Sequence, residues 1–70
     1  MNIKQDPRFE EAAECMLQTW MAQELGEYAD EEAERYMKLR DELASEYGRW
    51  STDVAHMVST RAHLMWMELV

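Results

Sequence analysis

Tyr47-Gly48-Arg49-Trp50-Ser51-Thr52-Asp53 holds the choice between two helical folds. Read as a break, Gly48 takes the left-handed conformation that closes a helix, and Ser51 caps the next one. Asp53 then meets the positive end of that helix, and Trp50 stands where a hydrophobic staple residue would. Read as an interior position, Gly48 costs only about 1 kcal/mol, and Leu43, Tyr47, Trp50, Val54, Met57 and Leu64 carry a heptad spacing straight through it. The first reading predicts an all-α, small three-helix bundle. The second predicts a helical hairpin with one long C-terminal helix from Asp30 onward, dimerising into a bundle. Three helices are the first expectation, because the strong punctuators Pro7, Gly26 and Gly48 divide 70 residues into three segments of similar length.

Outward from that break, the other boundaries follow the same chemistry. Asp6 before Pro7 is an N-cap with proline at the first helical position, where its missing N–H costs nothing. The first helix is expected over about 7–25, ending at Gly26. The second is expected over 31–47, capped by Asp30, with Glu31, Glu32 and Glu34 at its positive end. The third covers 52–69, and residues 1–70 form one helical domain. At 100° per residue each segment shows an apolar stripe. Phe9, Ala12, Ala13, Met16 and Trp20 share a face of the first, and Ala33, Tyr36, Leu43, Ala44 and Tyr47 share one on the second. Val54, Val58, Ala62, Met65 and Leu69 share one on the third. An antiparallel hairpin about Gly26 brings Tyr47 level with Phe9 and Tyr36 level with Trp20. The predicted core is therefore Phe9, Met16, Trp20, Tyr36, Leu43, Tyr47, Val54, Val58, Met65 and Leu69. Arg40 falls within the second stripe, so its stem should cover core while its guanidinium reaches Glu11, Glu14 or solvent.

Fifteen acids against seven bases leave a net charge of −8. Direct nucleic-acid binding and adhesion to an anionic membrane both need positive surface, and this balance argues against them. The longest uncharged stretches are far shorter than a bilayer span. A lone cysteine, Cys15, and a start without the basic-then-apolar pattern of a secretory signal predict an intracellular, cytoplasmic protein. Hydrophobic burial and ordering entropy nearly cancel in so short a chain, so self-association, most simply a homodimer, is expected.

The charge is also segregated. Residues 1–46 hold thirteen acids and five bases, whereas 47–70 hold two of each. Between Phe9 and Glu34 there are nine acids and no base. Glu10, Glu11, Glu14, Glu27, Glu31 and Glu34 define an acidic face with two readings. It is a solvated surface, or it engages a basic groove by placing carboxylates where phosphates would lie. In the third segment Met57, Thr60, Leu64 and Met67 recur at spacings of 3, 4 and 3 away from the core stripe, with His63 beside them. This second apolar side predicts a seam for another copy or a partner, unless the helix is central and buried all round.

Other constellations fall short of chemistry. His56 and His63 lie two turns apart, about 10 Å along a helix axis, too far to share one metal ion, and Cys15 is remote. Asp53-Val54-Ala55 with Ser59 and Thr60 resembles the opening of a helix-turn-helix reader but lacks the turn glycine and a basic recognition helix. The chain has no phosphate loop, nucleophile elbow or Cys–His pair with an orienting acid. No catalytic residue, metal or cofactor is expected, and Trp20, Trp50 and Trp66 are read as packing anchors. The expected function is an acidic helical interaction module, an inhibitor or adaptor that occupies a surface of a larger, basic protein partner. One alternative is a structural or regulatory subunit docking through the seam. Another is a nucleic-acid mimic that resembles in type the inhibitors encoded by phages and mobile elements.

Overall fold

The computed structural model describes residues 2–69. A 3-10 turn, Ile3–Gln5, leads into α1 (Pro7–Glu24), α2 (Asp30–Glu46) and α3 (Ser51–Leu69), with no strand among the described residues. Gly48 is a break. Its φ is +64°, and the Arg49 N–H donates back to the Ala44 carbonyl at 2.9 Å. Gly26 closes α1 in the same way, with φ +71° and the Glu27 N–H on the Ala22 carbonyl at 2.8 Å. Both helices thus end in the left-handed glycine closure that uses up orphan carbonyls. The continuous helix from Asp30 is excluded, since an interior helical residue cannot hold positive φ.

The start of α1 follows the expected cap, Asp6 accepting from the Arg8 backbone N–H at 2.9 Å. Two other starts differ. Asp30 does not cap α2: the N-cap is Ala29, without a side-chain bond, and Asp30 is the first helical residue. It still sits with Glu31 and Glu32 at the positive helix end. Ser51 is likewise already helical, and Trp50 is 79% exposed, so it staples nothing. The tight glycine closure delivers the chain directly into α3 and leaves Trp50 pointing away from the bundle.

α1 lies against both other helices, while α2 and α3 meet each other more narrowly. That position widens the buried arc of α1 beyond a single stripe. Cys15, on the α2 side, is buried along with Phe9, Ala12 and Ala13. Leu39, Leu43 and Ala44 of α2 and Val54, Val58 and Ala62 of α3 complete the core, and Ile3 of the 3-10 turn tucks beneath it. Met16, Trp20, Tyr36, Tyr47 and Met65 pack on this centre half-buried. Leu69 does not join them. It has the right angle on α3 but is 67% exposed, because it lies nearly a turn beyond Trp66, whose ring meets Trp20. The most deeply buried positions include three alanines, 12, 13 and 62, which let the helices approach closely.

Polar contacts pin the open end of the α1–α2 hairpin. Asp6 is buried and accepts from Arg8 Nε at 3.1 Å, Arg8 Nη2 at 2.8 Å and the Tyr47 hydroxyl at 2.8 Å. Arg8 continues to Glu46 and, at 3.8 Å, to Glu42. The start of α1 is thereby tied to the end of α2, with Tyr47 near the level expected for it. The Arg8 side chain, the Arg8 N–H and the Tyr47 hydroxyl together hold the Asp6 carboxyl well below the usual carboxylate range.

Candidate functional site

The six glutamates expected to share one acidic face are divided by the central position of α1. Glu10 turns toward α3, where Arg61 donates to it from Nη2 at 2.7 Å and from Nε at 3.1 Å. That bidentate contact lowers the Glu10 pKa. Glu11 turns toward α2 and accepts from Arg35, including Nε at 2.8 Å. Glu14 is exposed and lies near Glu11, Glu31 and Glu32 around a shallow hollow between α1 and α2, with Cys15 at its base. Burial pushes the Cys15 thiol up, so at neutral pH it is a neutral packing group. Arg40 takes the solvent-side course of the two expected for it. Its guanidinium donates to the adjacent Asp41 and lies 5.9 Å from the Tyr36 ring, rather than reaching Glu11 or Glu14.

Beyond those pairs, the carboxylates from Glu24 to Glu34 make no ion pair among the described residues. Among the described residues the arginines that form ion pairs are Arg8, Arg35, Arg40 and Arg61, and their acids are Asp6, Glu42, Glu46, Glu11, Asp41 and Glu10. Glu24, Glu27, Asp30, Glu31, Glu32 and Glu34 thus stand uncompensated around the α1–α2 turn. Glu24 opposes the helix dipole as well, since it sits in the last turn of α1, where no base is present. Apolar side chains emerge in the same region. Met21 is 43% exposed, Leu25 72% and Tyr28 94%, and with Glu27 and Glu32 they border one shallow depression. Sequence reasoning missed this trio because none of the three lies on a helical stripe. The available signal was a tyrosine and a leucine in a short turn crowded with acids.

The seam residues of α3 are mostly open. Thr60 and His63 are exposed, Leu64 is half exposed and Met67 is more so, whereas Met57 turns partly inward and packs on the core. The Thr60 hydroxyl donates to its own helix, at the His56 carbonyl, 3.1 Å. Between α1 and α3 runs a groove of about 620 Å³ with Phe9, Met57 and Leu64 among its walls and Lys4 and Arg61 at its rim. Toward the far end of α3 a second hollow is lined by Trp20, Gln23, Glu24, His63 and Trp66. The aromatic partner of Trp20 is Trp66, edge-on at 6.4 Å between ring centres, rather than Tyr36.

No three His, Cys, Asp or Glu side chains among the described residues come together as a metal site, and no described helix is long and apolar enough to cross a membrane. Compared with protein-family models, curated proteins and solved structures, the chain matches none. The surface around the α1–α2 turn is anionic and apolar at once.

Proposed function

We propose that this protein is an acidic interaction module whose α1–α2 turn binds a basic, amphipathic segment of a protein partner, as an inhibitor or adaptor does. The observation carrying this reading is the coincidence of uncompensated carboxylates with exposed Met21, Leu25 and Tyr28. Lysines and arginines of the partner would neutralise Glu24, Glu27, Asp30 and Glu31, and its apolar side would cover the trio. Opposite charge would speed encounter and fix register, while burial of the trio supplies affinity. A basic surface that ordinarily holds nucleic acid is one such partner, with carboxylates standing in for phosphates. In this reading the protein works inside the cell, without a catalytic step or cofactor.

The test uses a synthetic basic amphipathic helix, titrated against the full chain at low and high salt. The Glu27→Lys/Glu31→Lys/Glu34→Lys triple variant should lose most binding, and parent binding should weaken steeply as salt rises. Glu10 and Glu11 are left intact because they hold the helices together. Affinity that ignores both salt and the triple variant refutes the reading. A second reading, docking through the α3 seam, is favoured by the exposure of Leu64 and Met67. It predicts that Leu64→Glu abolishes binding, that helix content is unchanged, and that the triple variant has no effect.

A further inference from the structure

We infer that the groove between α1 and α3 receives the α1–α2 turn of a second copy, so that chains associate head to tail. The groove has an apolar interior at Met57 and Leu64 over buried Phe9, and its lining carries Lys4 together with an Arg61–Glu10 pair. Lys4 makes no ion pair among the described residues, and neither does Arg49, which stands outside the lining but beside it, its Nη1 reaching the Met57 sulfur at 3.8 Å. Arg61 is already met by Glu10, so Lys4 and Arg49 are the two cations left for an incoming carboxylate. Such a site fits a segment with one or two protruding apolar side chains among carboxylates. The chain displays that segment itself: Leu25 and Tyr28 project from between Glu24, Glu27 and Asp30. The open groove, of about 620 Å³, has room for two such side chains.

One copy cannot fill its own groove. The groove lies by the first turn of α1 and the turn follows its last, and 18 helical residues span about 27 Å. The contact is therefore heterologous, and unless a ring closes it leaves a free groove at one end and a free turn at the other. Near physiological salt the screening length of about 8 Å damps repulsion between the bodies but not the charges in direct contact. The same turn serves the basic partner proposed above, so that partner would cap chain growth. The inference itself does not depend on the partner, which is absent from its test.

Sedimentation equilibrium of the full chain from micromolar to millimolar, near physiological salt, should show a mass that climbs past one chain with concentration. Leu25→Ser/Tyr28→Ser removes the protruding side chains, and Lys4→Glu/Arg49→Glu reverses the rim. All four positions are exposed, and circular dichroism verifies the fold. Each double variant should self-associate about tenfold or more weakly than the parent. Mixed together they should form a one-to-one pair and nothing larger, since one retains a groove and the other a turn. A parent that stays single at millimolar concentration overturns the inference, as does a mixture that fails to pair. So does a symmetric dimer that tolerates both double variants and dissociates on Met67→Glu.

Discussion

Replacing Gly48 by alanine tests the fold by the sign of its effect. The structure places Gly48 at φ +64°, with open space where a Cβ would stand, so crowding contributes nothing and conformation alone sets the outcome. Left-handed backbone costs an L-residue roughly 1–2 kcal/mol, offset in part by the smaller entropy of the unfolded alanine chain. The net expectation is a loss of about 1 kcal/mol, or ~4–8 °C of melting temperature for a domain of this size. Had Tyr47 to Asp53 been continuous helix, the same substitution would stabilise by about 1 kcal/mol. Thermal melts followed by circular dichroism at the helical band separate these outcomes. Gly26→Ala, at φ +71° and equally uncrowded, is the matched control and should fall by a similar amount. A melting temperature that rises on Gly48→Ala, while Gly26→Ala lowers it, would refute the break between α2 and α3.

Leu43→Ala, at a fully buried position, should cost about 2–5 kcal/mol by chemical denaturation, whereas Leu69→Ala should stay within about 0.5 kcal/mol. Comparable losses at both sites would mean that Leu69 is packed after all. Asp6→Asn should destabilise at neutral pH through the Arg8 and Tyr47 contacts it weakens. Because the folded carboxyl titrates below its unfolded value, its contribution is complete above about pH 4 and is lost as the pH falls below that. The gap between parent and Asp6→Asn should accordingly shrink in acid; a gap that widens there contradicts the assigned contacts. Glu10, paired with Arg61, contributes with the same sign, so Glu10→Gln should show the same narrowing in pH-dependent denaturation.

Punctuation was the most legible part of the sequence. Pro7, Gly26 and Gly48 act through backbone rules that need no tertiary knowledge: α1 begins at Pro7, and α1 and α2 close at Gly26 and Gly48. The starts of α2 and α3 were less legible, because Asp30 and Ser51 are good caps that the preceding turn carries into the first helical position instead. Periodicity found the stripes but not their lengths. Angle alone puts Leu69 in the core, and only the reach of the neighbouring helices takes it out. Nor can one helix's pattern show that α1 is flanked on both sides, so periodicity alone leaves Cys15 off the core stripe and puts Glu10 and Glu11 on one open face. The Asp6, Arg8, Tyr47 and Glu46 cluster joins residues about forty apart, a distance at which spacing carries no message.

The fully buried alanines at 12, 13 and 62 have a consequence for how this protein can change. Where backbones touch across single methyl groups, there is no slack to absorb a larger side chain, and one added branch would wedge two rods apart. Drift at these sites is closed off, so new specificities can be explored only on the outer skin. There, acids and methionines can be exchanged without disturbing the scaffold beneath.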